Sequence, residues 1–275
     1  MQNYKAITSD LDGTLLTDDQ TLSEENSTAI TEIINAGIQF VPCTGRTVSL
    51  TIPDVKYHPS VRYFIYSNGA VVWDKQTGKK ITAYMSKETI TKIFDIVENY
   101  DYMVIAHVGA VAYVEKKLNN TESFRHYRAN DYYQELYQTG SDFIDGVKDF
   151  CISSDEVEMF FIMFHTDEEM QECKAKLQAL DGVHATNSAP FGLEVISTAA
   201  GKGNGLKRLA QMLDITTEEI VAIGDSPNDY TMIETAGYSL VVDNGAQMLK
   251  DIADEVICSN NEHAAKFVLE HYIKR

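Results

Sequence analysis

Acidic side chains stand close together at two places in this sequence of 275 residues, one near its beginning and one near its end. The first pair is Asp10 and Asp12, and the second is Asp225 and Asp229, with Asn228 between them. Paired carboxylates can act as nucleophiles, as general acids and bases, and as ligands of hard cations. Because no histidine or cysteine accompanies them, this oxygen-only set points to Mg²⁺ rather than to zinc.

Two further polar groups lie between the acidic clusters. Thr44, Gly45 and Arg46 are consecutive, and Lys202 stands among closely spaced glycines. Together with the two acidic clusters, they make four polar clusters in order along the chain.

Two common metal and phosphate motifs do not match the sequence. An EF-hand loop that began at Asp10 would have Leu15 and Thr21 where glycine and glutamate are required. Lys202 lacks both the earlier glycine and the following serine or threonine of a nucleotide-binding P-loop. Neither calcium binding of that type nor nucleotide binding is indicated.

The clusters follow predicted strands. Buried strands are expected at 5–9, 38–42 and 220–223, and helical patterns alternate with them, which is typical of a parallel sheet. Active groups of an open parallel sheet collect beyond the carboxyl ends of its strands. The predicted fold class is therefore α/β, with a Rossmann-like parallel-sheet core. Within it, Asn68 and Gly69 indicate the turn of a hairpin.

The middle of the chain has a different pattern. A helix at 86–100, a second helix capped by Thr166, and several sequential strands, among them 158–165, indicate an α+β module. We therefore predict two domains, a core formed by 1–83 and 197–275 and an inserted α+β cap formed by 84–196.

The motifs resemble those of the haloacid dehalogenase-like (HAD) superfamily, in order along the chain. Asp10-Leu11-Asp12-Gly13-Thr14 resembles the first motif, Thr44-Gly45-Arg46 the second, Lys202 the third, and Gly224-Asp225-Ser226-Pro227-Asn228-Asp229 the fourth. The Asn68-Gly69-Ala70 step and Leu193-Glu194-Val195-Ile196 resemble the Cof-type sugar-phosphatase branch. The resemblance brackets the whole chain, although Asn244-Gly245 stands where an Asn-Ala step is commoner.

The resemblance implies a role for each of these residues. Asp10 would be the nucleophile that forms an aspartyl-phosphate, and Asp12 the general acid and base. The Mg²⁺ ligands would be Asp10, Asp225 and the backbone carbonyl of Asp12. The phosphate side of the site would be formed by Thr44, Gly45, Arg46, Lys202 and Asn228, with Asn228 and Asp229 orienting Lys202 and metal-bound water.

The position of the inserted module favours one branch of activities. Only 34 residues separate Asp10 from Thr44, whereas 158 separate Thr44 from Lys202, so a cap fits only in the second gap. A cap at that place resembles Mg²⁺-dependent phosphatases of small phosphorylated metabolites, such as sugar phosphates. A phosphomannomutase-like phosphotransferase and a non-catalytic receiver-like phosphoacceptor remain as alternatives.

Substrate preference is expected in the inserted cap, because the core motifs contact only groups that every phosphate monoester shares. Arg125 and Arg128, followed by Tyr132, form a basic and aromatic stretch there, although a surface turn and an amphipathic helix are the favoured explanation. We select these three residues as candidates that alter preference.

Composition limits the partners and the compartment. The formal net charge of −18 argues against a general nucleic-acid binder and disfavours anionic membranes. Four widely spaced cysteines suggest reduced thiols, and no stretch approaches the ~20 apolar residues of a membrane span. No basic region followed by a long apolar run opens the sequence, so a cytoplasmic protein is expected.

Overall fold

The computed structural model describes residues 4–274, and the side chains of residues 188 and 189 are not described. Residues 1–3 and residue 275 lie outside the described residues. The expectation that the sequence opens without a targeting segment and the two ends of the predicted core fall partly on these residues. The chain divides into two compact units. The first consists of the residues up to Gly45, Thr51–Thr82 and those from Gly201 onward, and the second of Arg46–Leu50 and Ala83–Ala200.

The structure contains alternating strands and helices in both units. The strands are β1 (Ala6–Ser9), β2 (Gln39–Pro42), β3 (Tyr63–Tyr66), β4 (Val71–Asp74), β5 (Lys80–Thr82), β6 (Tyr102–Val108), β7 (Val111–Glu115), β8 (Ser141–Ile144), β9 (Val157–Phe164), β10 (Val183–Ala189), β11 (Gly192–Ser197), β12 (Ile220–Gly224), β13 (Tyr238–Val242) and β14 (Glu255–Ile257). The helices are α1 (Glu24–Asn35), α2 (Pro53–Lys56), α3 (Lys87–Val97), α4 (Thr121–His126), α5 (Asp131–Gly140), α6 (Val147–Ser153), α7 (Asp167–Gln178), α8 (Lys202–Leu213), α9 (Tyr230–Thr235), α10 (Gln247–Lys250) and α11 (Ala264–Val268).

A parallel sheet forms the centre of the first unit, with the strand order β14-β13-β12-β1-β2. Every neighbouring pair in it is parallel, with Ile7 opposite Val221 on one side and Phe40 on the other. The chain leaves β1 toward β2 and later returns on the opposite side as β12, so the strand order reverses next to β1. This confirms the predicted α/β class and places the switch point where ligands bind in such sheets.

A small antiparallel sheet, β3-β4-β5, belongs to the same unit. The predicted hairpin is confirmed, since β3 and β4 pair directly across the turn 67–69. Cys43, just beyond β2, bridges in parallel to Ile65 of β3. The residues that follow β2 are therefore tied to this hairpin.

The second unit is built on a six-stranded sheet with the order β10-β11-β9-β6-β7-β8. Strand β9 confirms the strand predicted at 158–165; it is buried at all eight positions and pairs with β6 and β11, so it is a covered central strand. The short segment Arg46–Leu50 also belongs to this unit, because Ser49 donates its N–H to Ala110 at 3.1 Å and Thr47 donates its hydroxyl to Glu158 at 3.0 Å. That 84–196 folds independently of the core remains a prediction.

Helix ends follow the capping chemistry expected from the sequence. Ser23 accepts a hydrogen bond from the N–H of Asn26 and begins α1, and Gly37 follows its end with φ +90°. Thr166 accepts from the N–H of Glu169 and begins α7, as predicted. In the part of the chain that the structure describes, no helix has the length and apolar character needed to cross a bilayer.

Candidate active site

Asp10 follows β1 directly, at the carboxyl edge of the parallel sheet and beside the switch point. Its N–H donates to the carbonyl of Ile223 at 2.9 Å, which extends the pairing with β12 beyond the strand. The residue is only 5% exposed. Strand pairing on both sides of β1 therefore fixes the position of the predicted nucleophile.

The loop after Asp10 is joined to the loop after β12. Gly13 has φ +79°, and a Cβ there would lie 2.7 Å from Oδ2 of Asp225, so only glycine fits. The hydroxyl of Thr14 donates to Oδ1 of Asp225 at 2.7 Å, and that of Ser226 donates to Oδ2 at 2.8 Å. The first and fourth motifs thus form one structure, in which Asp225 is oriented by two hydroxyls.

Lys202 contacts two of the described carboxylates, Asp10 and Asp229, directly. Its ammonium donates to Oδ1 of Asp10 at 2.6 Å and to Oδ1 of Asp229 at 2.5 Å, and the residue is 1% exposed. A buried ammonium is tolerated only when it is paired and hydrogen-bonded. The structure therefore places Lys202 within the acidic cluster, as the resemblance implied.

Glycines at the start of α8 allow this burial. A Cβ at Gly203 would lie 2.4 Å from the carbonyl oxygen of Thr231, and one at Gly205 would lie 2.9 Å from the Cα of Gly69. The first turn of α8 therefore packs directly against the backbone of α9 and of the turn 67–69. The glycines that surround Lys202 in the sequence serve close packing.

Asp229 holds both Lys202 and its own loop. While Oδ1 accepts from Lys202, Oδ2 accepts the N–H groups of Asp225 and Ser226, each at 3.0 Å. The neighbouring Asn228 donates its amide to Oδ1 of Asn68 at 3.2 Å. Of the two residues predicted to orient Lys202, Asp229 is the one that contacts it.

The charges at the site are unbalanced. Burial raises the pKa of Asp10 well above the ordinary aspartate value, Lys202 opposes this, and Asp229, Asp225 and Asp12 add to it. Burial and then Asp229 also raise the pKa of Asp225. Burial acts to lower the pKa of Lys202, but Asp10 and Asp229 outweigh it and hold that pKa well above its usual range. One ammonium therefore does not neutralise the surrounding carboxylates.

The same carboxylates satisfy the requirements of a divalent cation. Oxygen atoms of Asp10, Asp225 and Asp229 lie within 4.8 Å of one another. Oδ1 of Asp229 is paired with the Lys202 ammonium and its Oδ2 accepts two backbone N–H groups. Asp225 instead accepts only from two neutral hydroxyls, and Oδ2 of Asp10 accepts no hydrogen bond within the described part of the chain. An oxygen-only set with excess negative charge fits a hard cation such as Mg²⁺. Asp10 and Asp225 are the side chains best suited to hold it.

Thr44 and Gly45 follow β2 in the first unit. Thr44 is buried, its N–H donates to Ile65 at 2.9 Å, and its carbonyl accepts from the N–H of Asn68 at 3.0 Å. Both neighbours belong to the β3–β4 hairpin or its turn. The position of the predicted phosphate-binding threonine therefore depends on that hairpin.

Arg46 belongs to the second unit. Its guanidinium is buried, donates to the carbonyl of Leu50 at 3.0 Å, and also donates to the hydroxyl of Tyr132 on α5. Arg128, one of the candidates for substrate preference, donates to Asp167 at 2.6 Å and to the carbonyl of Phe164 at 3.1 Å. Within the basic and aromatic stretch, Tyr132 therefore contacts the buried Arg46, and Arg128 forms a surface ion pair with Asp167.

Several residues in contact with the site were given no role from the sequence. Thr14 and Ser226 orient Asp225, and Asn244 donates its amide to the carbonyl of Gly13 at 2.7 Å. Thr14 and Ser226 lie inside the first and fourth motifs, so their closeness in sequence to Asp12 and Asp225 could have indicated a role. Nothing in the sequence around Asn244 indicates which carbonyl it would reach.

At its switch point the parallel sheet carries a buried lysine paired with two aspartates and a third aspartate nearby, and these residues belong to the motifs that resemble the HAD type. Residues 7–269 match the family model of haloacid dehalogenase-like hydrolases, and the chain belongs to this family. It is an enzyme, a phosphatase that acts on phosphorylated substrates.

Individual relatives agree with this assignment. The chain is 27% identical over 284 residues to phosphatase YwpJ of Bacillus subtilis (strain 168), which covers 98% of this chain and 100% of that protein. It is 26% identical over 291 residues to 5-amino-6-(5-phospho-D-ribitylamino)uracil phosphatase YwtE of the same organism, with 98% of each covered. The structure of the HAD subclass IIB sugar phosphatase BT4131 superimposes with a TM-score of 0.81 at 18% identity, covering 98% of both chains, and shares the fold.

Proposed function

We propose that this protein is a Mg²⁺-dependent phosphatase that hydrolyses small phosphorylated metabolites, sugar phosphates or similar monoesters, through an aspartyl-phosphate. The observation that carries the proposal is the buried Lys202 ammonium, which lies 2.6 Å from Asp10 beside a second, oriented carboxylate at Asp225. This arrangement combines a fixed nucleophile with positive charge next to the transferring group, which is what phosphoryl transfer mainly requires.

The first half of the reaction assigns one task to each residue. A carboxylate oxygen of Asp10 forms a bond to phosphorus, and the bond from phosphorus to the substrate's alcohol oxygen breaks. Asp12 gives its proton to the departing oxygen. Lys202 and the Thr44 hydroxyl bind phosphoryl oxygens, and Gly45 and Asn228 complete the phosphate side. A phosphate contact of Arg46, which belongs to the second unit, stays a prediction. Bound Mg²⁺, held by Asp10, Asp225 and the Asp12 carbonyl, would offset the repulsion between the phosphate and the carboxylates.

In the second half, Asp12 takes a proton from water as the water oxygen attacks phosphorus. The bond from phosphorus to Asp10 breaks, inorganic phosphate leaves, and Asp10 is again a carboxylate. Asp229 keeps Lys202 in place throughout, since it bonds the ammonium at 2.5 Å and two N–H groups of its own loop.

The relatives and the charge support the proposed substrate class. One relative is named for a phosphorylated ribitylamino-uracil and a structural neighbour is a sugar phosphatase, so a small polyhydroxylated monoester is the favoured substrate. The net charge of −18 does not favour a nucleic acid or an anionic membrane as partner. The four cysteines are free thiols, which fits our placement of the protein in the cytoplasm. We assign substrate preference to the predicted cap, 84–196.

The test is phosphate release from an aryl phosphate after exhaustive chelation and again after addition of Mg²⁺. We expect activity only with the metal. Asp10→Asn should lose essentially all turnover, because an amide cannot attack phosphorus, and Asp12→Asn should lose on the order of 10²–10⁴ in rate. Full activity of the chelated protein, or near wild-type turnover of Asp10→Asn, would contradict the proposal. Transfer of the phosphoryl group to an added sugar phosphate, with little release, would favour the phosphotransferase alternative.

A further inference from the structure

Three segments that supply the phosphate side of the site meet at one buried residue, Asn68, in the turn between β3 and β4. Its N–H donates to the carbonyl of Thr44 at 3.0 Å, and its carbonyl accepts from the N–H of Gly201, directly before Lys202, at 2.7 Å. Its side-chain oxygen accepts from the amide of Asn228 at 3.2 Å. Asn68 is 2% exposed.

The turn has an unusual backbone that makes these contacts possible. Ser67, Asn68 and Gly69 have φ values of +48°, +50° and +84°, so three successive residues are left-handed. For residues other than glycine this conformation costs about 1–2 kcal/mol each, and asparagine is among the few that adopt it routinely. Such strain persists where the surrounding structure enforces it, and it is concentrated at functional sites.

The turn also packs against the start of α8 too closely for any side chain. A Cβ at Gly69 would lie 2.2 Å from the carbonyl oxygen of Gly201. Arg208, two turns into α8, donates to the carbonyl of Gly69 at 3.1 Å. The N-terminus of the helix that carries Lys202 therefore rests on this turn, and a shift of the turn would move the ammonium.

We propose that Asn68 is a positioning residue that aligns Thr44, Lys202 and Asn228 around the phosphoryl group. The proposal rests on the function proposed above and adds a residue to it. Asn68 acts on Thr44 and Lys202 through its backbone, and on Asn228 through its side chain. Without Asn68, the three segments that carry Thr44, Lys202 and Asn228 would lose the residue that links them to one another.

The two modes of contact can be separated by mutation. Asn68→Gly keeps the left-handed backbone, which glycine adopts without strain, and removes the side chain together with its bond to Asn228. Asn68→Ala removes that bond and also disfavours the backbone that holds Thr44 and Gly201. Asp214→Gly is the matched control, because Asp214 ends α8 with φ +56°, is exposed, and lies outside the site.

Activity should fall in that order. We expect Asn68→Gly to lower kcat/KM on the order of tenfold, the size of one hydrogen bond, by the same factor for aryl, sugar and polyol phosphates. Asn68→Ala should lose more, and Asp214→Gly should match the wild type. In a double-mutant cycle, the variant that carries both Asn68→Gly and Asn228→Ala should lose no more kcat/KM than the worse single variant. The reason is that both substitutions remove the same hydrogen bond.

A readout independent of turnover is the rise in Tm caused by orthovanadate, measured with Mg²⁺ present. Asn68→Gly should need on the order of ten times more vanadate for the same rise, while its Tm without vanadate stays near that of the wild type. Wild-type kcat/KM and vanadate binding in Asn68→Gly, additive losses in the double variant, or losses that differ between esters would each overturn the proposal. Failure of the wild type to hydrolyse any ester would contradict the proposed function, and the vanadate series would still decide the role of Asn68.

Discussion

Thr14 and Asp225, which are 211 residues apart in the sequence, are joined by a hydrogen bond of 2.7 Å from the threonine hydroxyl to Oδ1. The other carboxylate oxygen accepts from Ser226 at 2.8 Å. Both bonds favour the ionised carboxylate and so oppose the effect of burial on the pKa of Asp225. Two neutral hydroxyls therefore fix the orientation of this carboxylate, which we propose as a Mg²⁺ ligand.

Removing the Thr14 hydroxyl should weaken metal binding without removing a ligand. We expect Thr14→Val to reduce Mg²⁺ affinity by roughly 10–100-fold, the usual effect of losing a group that orients a metal ligand. In the wild type, Mg²⁺ at a hundred times its Kd should add about 2.7 kcal/mol to the free energy of unfolding. Measuring Tm at increasing Mg²⁺ concentrations gives both the affinity and the gain in stability. Thr17→Val, in the same loop but bonded to Thr21, should bind as the wild type does; equal weakening in both variants would argue against the assignment.

The second prediction concerns the buried ion pairs of Lys202. Lys202→Met keeps much of the side-chain volume but leaves Asp10 and Asp229 without their cation. Breaking a buried pair in this way costs about 3–5 kcal/mol. Urea unfolding of the metal-free variant should show that loss in the free energy of unfolding, and kcat/KM with Mg²⁺ should fall by one factor for all esters. Wild-type stability would mean that Lys202 is not the counter-ion of these carboxylates.

The third prediction is a pH dependence in the β3–β4 hairpin, away from the metal site. Asp74 accepts two hydrogen bonds from Arg62, at 2.9 and 2.7 Å, and Arg62, followed by Thr77 and Gln76, holds the pKa of Asp74 far below its usual range. A lowered pKa in the folded state stabilises the fold above the unfolded value, and this stability is lost as pH falls through the folded value.

Asp74→Asn should therefore lower the free energy of unfolding at pH 7 by about 2 kcal/mol, as expected for hydrogen bonds to a charged group. The difference from the wild type should shrink as pH drops below about 4. Urea unfolding between pH 7 and pH 2 measures it, with the exposed Asp19→Asn as the control. A difference that stays constant down to pH 2 would show that the Asp74 charge has no part in it.

The fourth prediction concerns substrate preference. Tyr132→Phe removes the hydroxyl that accepts from Arg46 within the second unit, and should change the ratio of kcat/KM values among a panel of phosphorylated metabolites. Thr44→Ala should instead lower all of them together, because it acts on the phosphoryl group. Tyr113→Phe, in the same unit but with its ring in tilted contact with that of Phe150, is the control. An unchanged ratio in Tyr132→Phe together with a changed ratio in Thr44→Ala would reverse this division.

Sequence patterns were sufficient to predict the strand ends that carry Asp10 and Asp225. Both aspartates directly follow short apolar runs, and parallel strands bring their carboxyl ends to one edge. The start of α8 at Lys202 is harder to predict, because Gly203 and Gly205 stand in its first turn. Glycine is a poor helix former in isolation, so close packing against Thr231 and Gly69 decides that boundary.

Contacts that depend on the third dimension could not be predicted. Lys202 by itself resembles a surface charge, and its burial follows from two aspartates on distant segments. Arg46 is the last residue of the second motif, yet the segment Arg46–Leu50 belongs to the second unit. Strand β8 was not predicted either, because it is a short edge strand of partly buried residues without clear alternation.

The order of strands in the parallel sheet has a consequence for synthesis on the ribosome. Strand β1 needs β12 beside it, and more than 200 residues must be translated between the two. At about 5–20 residues per second, roughly 10–40 s pass before β12 exists. All six strands of the second unit's sheet emerge within that interval, so that sheet can close first. The nascent chain meanwhile carries Asp10 at the end of a strand with one open edge, and such an edge is prone to aggregation.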